Sequence, residues 1–313
     1  MNDQQHSTLR KTAFIGLFLL TALPWVTAPT ALVAGFSFCF LCGNPLPQAT
    51  AKTGKSLLKL SVIGLGFGVN FSEVLEVGKS SMLLTLVSIT ATLVLGEVLG
   101  RSLKIAVNTR RLVSFGTAIC GGSAIAAMAP VIKARDDEIA VSLATVFSLN
   151  ALALIIFPPV GQLVELNQHQ FGLWAALAIH DTSSVVGASA AFGAVALSVG
   201  TTVKLARALW IAPCTLVAGV LWKSQERVGI PLFILGFIAA AFINSSLPAF
   251  DLLWHGLYTL ARQTLVMTLF LIGAGLTKRV LKQVGAKPLL LGGLLWIIVS
   301  ATTLALILAN YIR

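Results

Sequence analysis

The sequence predicts an all-α polytopic membrane protein with about 10–11 membrane segments, forming a single integral membrane domain over residues 1–313. Three observations predict it. Apolar residues make up 57% of the chain and charged residues only 11%, against ~25% charged in an ordinary soluble domain. Apolar stretches recur along the whole chain, many near the ~20 residues a helix needs to cross the hydrocarbon of a bilayer. Basic residues gather in alternate connections, the pattern of loops kept on the cytoplasmic side.

The first stretch, about 12–28, follows Arg10 and Lys11 and has the look of a secretory leader. It runs on past Pro24 and Pro29 without a small-residue cleavage site, so it reads as a retained first helix. Further spans read at 30–43, 57–72 and 81–99, with Lys52, Lys55 and Lys59 in the short connection around the start of the third. Arg101, Lys104, Arg110 and Arg111 follow the fourth. The remaining spans read at 112–132, 138–161, 171–199, 202–222, 230–247, 262–277 and 288–310, with Lys278, Arg279, Lys282 and Lys287 in the last connection. The connections after Phe71 (Glu73, Glu76, Lys79) and around Asp251 have no basic cluster. This alternation puts the N-terminus in the cytoplasm and the C-terminus outside. The net charge of +11 is scattered over short loops, which argues against a nucleic-acid partner. Cys39-Phe-Leu-Cys42 has redox or metal spacing but lies in an apolar helix without a second ligand pair, so it reads as small apolar packing. No cofactor and no metal are expected.

The chain carries an internal repeat. Leu65-Gly66-Phe67-Gly68-Val69, Val77-Gly78 and Met82-Leu83-Leu84 line up with Ile272-Gly273-Ala274-Gly275-Leu276, Val284-Gly285 and Leu289-Leu290-Leu291, 207 residues later. Gly35-Phe36 with Leu46-Pro47 lines up with Gly236-Phe237 and Leu247-Pro248, 201 residues later. The paired segments are seven apart, and an odd separation reverses direction across the membrane. Repeat-like halves of about 12–161 and 171–313 are therefore expected to be inverted, the arrangement of many secondary transporters, in which a shared central site alternates between the two sides.

Two apolar segments are interrupted. In Ser114–Ala127, Gly121-Gly122 weakens a helix by about 1 kcal/mol per glycine, and Ser123 can cap a second half-helix beginning there. A half-helix N-terminus at membrane depth presents free N–H groups to an anion; the plainer reading is close helix packing through small residues. The second interruption, Ile179-His180-Asp181-Thr182-Ser183-Ser184, puts ionisable and hydroxyl side chains between apolar flanks, which is costly unless used. His180 can exchange a proton near neutral pH, and Asp181 can pair with it, take a proton or bind a cation. The competing readings are a buried structural ion pair or a water-exposed turn. Lys204 and Arg207 share a helix face and either snorkel to the interface or line an anion path. Asn70, Asn150, Asn244 and Glu97 are further polar groups in apolar surroundings. Read as crossings, the two interrupted segments would run in the same direction, which does not suit an inverted pair. Read as re-entrant hairpins, they enter from opposite sides and put Lys133 and Arg135 inside, as the charge rule prefers.

Gly116 to Ala127, Ala129-Pro130-Val131-Ile132-Lys133-Ala134, Ile179-His180-Asp181 and Val203-Lys204-Leu205-Ala206-Arg207 resemble the hallmarks of the sulfate exporter family, the YeiH-like membrane proteins. The resemblance runs from about residue 15 to the C-terminus. It implies a multi-pass protein of the bacterial inner (plasma) membrane, related to the cation–proton antiporter and bile-acid symporter superfamily. In that superfamily inverted repeats bring discontinuous helices together near the midplane, and those helices fully traverse the membrane.

The expectation is thus a secondary transporter, not an enzyme, that moves a small anion by alternating access with protons or another coupling ion. Sulfate or an organosulfonate is the expected substrate class. Cys120, Gly121, Gly122, Ser123, Thr182, Ser183, Ser184, Lys204 and Arg207 are the candidate anion-binding residues, and His180 and Asp181 the proton-coupling pair. The alternative is a cation/proton antiporter of the same architecture using Asp181 or Glu97. An intramembrane enzyme is disfavoured, because no nucleophile elbow, zinc-helix motif or phosphate loop occurs. The expected partners are the substrate anion, the coupling ion, the lipid bilayer and a second copy in a homodimer.

Overall fold

A computed structural model describes residues 3–222, 232–275 and 285–312. Every regular element among them is a helix. In chain order these are α1 (Asp3–Leu20), α2 (Ala28–Cys42), α3 (Pro47–Leu65), α4 (Phe71–Ser102), α5 (Val107–Ala118), α6 (Gly122–Val131) and α7 (Asp136–Leu163). There follow α8 (Gln168–Ala178), α9 (Thr182–Phe192), α10 (Ala194–Ala208), α11 (Ile211–Leu221), α12 (Leu232–Ser246), α13 (Asp251–Gly275) and α14 (Ala286–Leu308). Among the described residues five stretches are long and apolar enough to cross a bilayer: Met82–Ser102, Asp136–Leu163, Ala194–Leu221, Pro248–Gly275 and Ala286–Leu308. The protein is an all-α polytopic membrane protein.

Several helices start earlier than hydropathy suggests. α3 begins at Pro47, whose fixed φ suits a first helical position, and takes Lys52, Lys55 and Lys59 onto its exposed side, so these lysines are helical rather than in a connection. α13 begins at Asp251, well before the first apolar run, with an acidic residue in the turn where the helix dipole favours it. The acidic stretch after Phe71 likewise belongs to α4. Lys278, Arg279 and Lys282 lie outside the described residues.

Contacts divide the chain into two units, each made from two separate stretches of sequence. The first holds residues 1–74 and 231–280. In it α13 packs on both α2 and α3, and α12 on α3. The packing is reciprocal at four glycines. A Cβ on Gly35 would strike the Phe270 carbonyl oxygen, and one on Gly236 would meet Ile63 at 2.8 Å. A Cβ on Gly66 would strike the Phe237 carbonyl oxygen, and one on Gly273 the Leu32 carbonyl oxygen and, at 3.0 Å, the Phe36 amide. The separations of 201 and 207 residues that pair Gly35 with Gly236 and Gly66 with Gly273 also pair Phe36 with Phe237 and Ile63 with Phe270. Phe14 seals this unit, its ring 5.7 Å from Phe38 and 5.3 Å from Phe270.

The second unit holds residues 75–230 and 281–313. Its spine is α7, flanked by α5, α9 and α14. α14 lies close enough that a Cβ on Gly292 would meet Thr145 at 2.8 Å and Leu149 at 2.9 Å. Phe157 of α7 stacks on Trp174 of α8 at 4.1 Å, and the Trp174 indole N–H donates to the Ser300 carbonyl of α14 at 3.0 Å.

Candidate functional site

The two interrupted segments are helical hairpins. α8 and α9 have 11 residues each. At ~1.5 Å per residue each reaches about 16 Å, roughly half of a ~30 Å hydrocarbon core. The chain then returns to where it started. Phe171 at the start of α8 stacks on Phe192 at the end of α9, centroids 3.8 Å apart and planes 3° from parallel. The Gln168 side chain accepts from the Val195 amide at 2.9 Å. A straight broken helix would hold Phe171 and Phe192 about 30 Å apart. The first hairpin, α5–α6, closes in the same way. A Cβ on Gly116 would meet Ile125 at 2.9 Å although the two are nine residues apart. Each segment therefore doubles back on itself, unlike the discontinuous helices that the family resemblance implies.

The hairpins enter from opposite ends of α7. Near the start of α7, Glu138 accepts from the Asn108 side chain at 3.1 Å, beside the beginning of α5. Near its other end, a Cβ on Gly161 would meet Phe171 and Phe192, the base of the second hairpin. The tips meet midway, where the Asn150 side-chain oxygen accepts from the Asp181 amide at 3.2 Å. Gly121 lies against Asp181: a Cβ there would sit 3.1 Å from the Asp181 Cβ. Gly121 has φ +64° and ψ −125°, a conformation open to glycine and closed to residues with a Cβ. Its amide donates back to the Gly116 carbonyl at 2.8 Å, which turns the chain.

The tips also correspond residue by residue. Ile119-Cys120-Gly121-Gly122-Ser123 stands 60 residues before Ile179-His180-Asp181-Thr182-Ser183, and α5 and α8 end at positions, Ala118 and Ala178, with the same separation. Gly121 and Asp181, which touch, are equivalent positions.

Each tip brings a C-terminal helix end and an N-terminal helix end into the interior. α6 starts at Gly122 with Gly121, which has no side chain to offer, as its cap residue, so Ser123 sits inside the helix rather than capping it, and the Cys120 side chain reaches the Ala124 amide of the first turn. Gly122 is half-buried and Ser123 exposed. α9 is capped by Asp181, whose carboxylate accepts from the Ser183 amide at 3.0 Å and from the Ser183 hydroxyl. Thr182 and Ser184, the other candidate caps, are buried. Asp181 forms no ion pair with His180. Both His180 ring nitrogens lack a hydrogen-bond partner among the described residues, and the side chain is 2% exposed. Asn150 Nδ2 and Thr117 Oγ1 are buried without a partner as well.

Lys204 and Arg207 on α10 are wholly buried, which excludes snorkelling. Lys204 Nζ donates to the Ile179 carbonyl at 2.7 Å and to that of Ala176 at 3.4 Å. Arg207 joins the two hairpins: Nε donates to the Ala118 carbonyl of the first and Nη1 to the Leu177 carbonyl of the second, each at 2.7 Å. Its Nη2 reaches the Ser88 hydroxyl at 3.4 Å. These carbonyls end α5 and α8, where four C=O groups per helix lack an internal partner and the dipole is negative. Neither cation contacts a carboxylate among the described ion pairs, yet Asp181 and Cys120 lie within electrostatic reach of Lys204. Cys120, Gly121, His180, Asp181, Lys204 and Arg207 thus gather at one place. Glu97 does not join them. It lies near the end of α4, held by Arg110 at 2.8 and 3.0 Å and by Arg101 at 2.8 Å.

The chain matches the family described as Conserved hypothetical protein 698 over residues 32–292. It is 53% identical to a UPF0324 membrane protein of Geobacter sulfurreducens, over 95% of this chain and 96% of that one. It is 50% identical to a UPF0324 membrane protein of Bacteroides thetaiotaomicron (90% and 87%) and 46% identical to one of Vibrio parahaemolyticus (95% and 98%). No solved structure matches it.

Proposed function

The chain belongs to this family of UPF0324 membrane proteins, and from that premise we propose that it is a secondary transporter of small anions. The carrying observation is the charge at the hairpin tips: two wholly buried cations, Lys204 and Arg207, stand against one carboxylate, Asp181. That carboxylate is already spent on the first turn of α9. Positive charge is left over, and α6 begins at the same tip without a capping side chain on Gly121, so its first amides at Gly122 and Ser123 are the donors we assign to an anion. Cys120, Gly121, Thr182, Ser183 and Ser184 add small groups and hydroxyls at the same two tips. The unpartnered imidazole of His180 carries the coupling proton, with Asp181 as its exchange partner. Sulfate and organosulfonates are the substrate class, tetrahedral oxyanions that accept several N–H donors at once.

We read the element order as an inverted repeat in which one half is permuted, the arrangement alternating access calls for. α2, α3 and α4 precede the hairpin α5–α6 and the crossing α7. Their counterparts α12, α13 and α14 follow the hairpin α8–α9 and the crossing α10–α11. Hairpins entering from opposite ends of α7 fit this inversion, which two traversing segments would not. The base of the first hairpin carries Arg110, Arg111, Lys133 and Arg135, whereas the turn from α7 to α8 has no lysine or arginine. The first base therefore faces the cytoplasm, with the N-terminus, in a bacterial inner membrane. The cation/proton antiporter alternative is weaker, since Glu97 is saturated by two guanidinium groups and the buried Lys204 beside Asp181 repels a second cation there.

The test is flux into proteoliposomes of labelled sulfate and of a labelled organosulfonate under an imposed pH gradient. We expect saturable uptake that loses its pH dependence in His180→Ala and in Asp181→Asn. Unchanged uptake and pH dependence in both variants would remove the assigned roles.

A further inference from the structure

Helix ends buried at membrane depth expose carbonyl oxygens that must find a positive partner. In secondary transporters such ends are among the places where a coupling Na⁺ is held. Here both ends are occupied from within the chain. The last turn of α8 and its cap residue present the carbonyls of Ala176, Leu177 and Ile179, and the last residue of α5 presents that of Ala118. Lys204 takes Ala176 and Ile179; Arg207 takes Leu177 and Ala118. Lys204 and Arg207 are three apart on α10, one turn of a helix, so a single face delivers both cations to both ends. The carboxylate at the tips is no free ligand either, since Asp181 is bonded to the amide and the hydroxyl of Ser183.

We propose that Lys204 and Arg207 are tethered cations seated where a coupling sodium ion would bind, so that this protein binds and moves its anion without Na⁺. The ammonium of Lys204 is the replaceable one. It is a compact charge held by two carbonyls of a single helix end, whereas the guanidinium of Arg207 spans two hairpins. Removing the Lys204 side chain leaves the Ala176 and Ile179 carbonyls without the ammonium that now lies 3.4 and 2.7 Å from them, a seat a small cation can take. This inference rests on the transporter reading for its meaning, but its test needs no transport.

The test is thermal unfolding of the full chain in detergent micelles in the chloride salts of Na⁺, K⁺, methylammonium and choline at equal ionic strength. Wild type is expected to melt at one temperature in all four. Lys204→Ala is expected to melt lower in choline and to recover saturably with methylammonium or Na⁺, by about 3 °C or more, because a ligand bound only by the folded form raises Tm. Lys204→Arg, which keeps a cation on the carbonyls, is expected to stay insensitive to the salt. A merely structural lysine would give a loss that no small cation repairs. Two results overturn the proposal: a saturable Na⁺ stabilisation of wild type over K⁺ and choline, or a Lys204→Ala variant indifferent to every small cation. If Lys204→Ala does not fold, the wild-type comparison still decides. Absence of flux in proteoliposomes would defeat the transporter reading and leave the salt response standing.

Discussion

Replacing Arg207 by Met isolates the contact that joins the two hairpins. Methionine keeps much of the side-chain volume and removes the guanidinium. Two carbonyls, those of Ala118 and Leu177, then lose donors that now sit 2.7 Å away in a site with no exposure to solvent. A hydrogen bond from a charged donor contributes about 1.5–3 kcal/mol, so the two together contribute about 3–6 kcal/mol. The variant also escapes the cost of keeping a charge in the interior, which offsets part of that loss and points to the lower end, about 3 kcal/mol. At ~2.1 cal/mol/K of unfolding entropy per residue, 1 kcal/mol corresponds to about 1.5 °C in Tm for a chain of 313 residues, so Arg207→Met should melt about 4–5 °C lower. Arg207→Lys, which reaches one hairpin but not both, should fall in between. The assay is thermal unfolding in detergent, with circular dichroism to confirm that helix content is kept. A melting temperature within about 1 °C of wild type for Arg207→Met would refute the reasoning, since it would mean that the carbonyls find other partners at no cost.

Other substitutions test neighbouring parts of the account. Gly121→Ala should cost about 1–3 kcal/mol from its backbone conformation and more from displacing Asp181. Gly43→Ala, also at positive φ (+77°) but with nothing within 4 Å of a new Cβ, should pay only the backbone part. In the first unit, Gly35→Ala drives a methyl group into the Phe270 carbonyl and should lower Tm, whereas Gly256→Ala, a helical position with open space around it, should raise stability by about 0.5–1 kcal/mol. Glu97→Gln should lower Tm by freeing Arg110 from its carboxylate partner while leaving the apparent affinity for the anion unchanged. A lost anion affinity in that variant would return Glu97 to the site.

Much of the fold was legible in the sequence because membrane segments announce themselves by apolar composition alone. Close approaches at Gly35, Gly66 and Gly273 coincide with glycines that the sequence singles out, since a Cβ at each would strike a backbone carbonyl. Helix starts at Pro47 and Asp251 were missed, because lysines and polar residues on an exposed side do not stop a helix that hydropathy would end there. The interruptions at Gly121 and Asp181 were visible as small and polar clusters, but whether the chain continues or turns back is decided by contacts such as Phe171 on Phe192, between residues 21 apart that no periodicity relates. The 60-residue correspondence between the tips was the signal that could have paired them; it lies in positions such as Cys120 and His180, where residue identity differs and only local shape agrees. Lys204 and Arg207 were singled out without their partners, because carbonyls of distant helix ends leave no trace in sequence. Asn150, read as one polar residue among several, proved to bond the second tip.

Labelling of single cysteines with a membrane-impermeant maleimide, from either side of intact and inverted vesicles, tests most directly whether the tips belong to hairpins of opposite entry. His169→Cys and Ala194→Cys flank the second hairpin, and Val107→Cys and Arg135→Cys the first; all four positions are exposed. The account predicts that His169→Cys and Ala194→Cys react from one side of the membrane and Val107→Cys and Arg135→Cys from the other. Labelling of His169→Cys and Ala194→Cys from opposite sides would mean that this segment crosses, and would contradict the account at its centre.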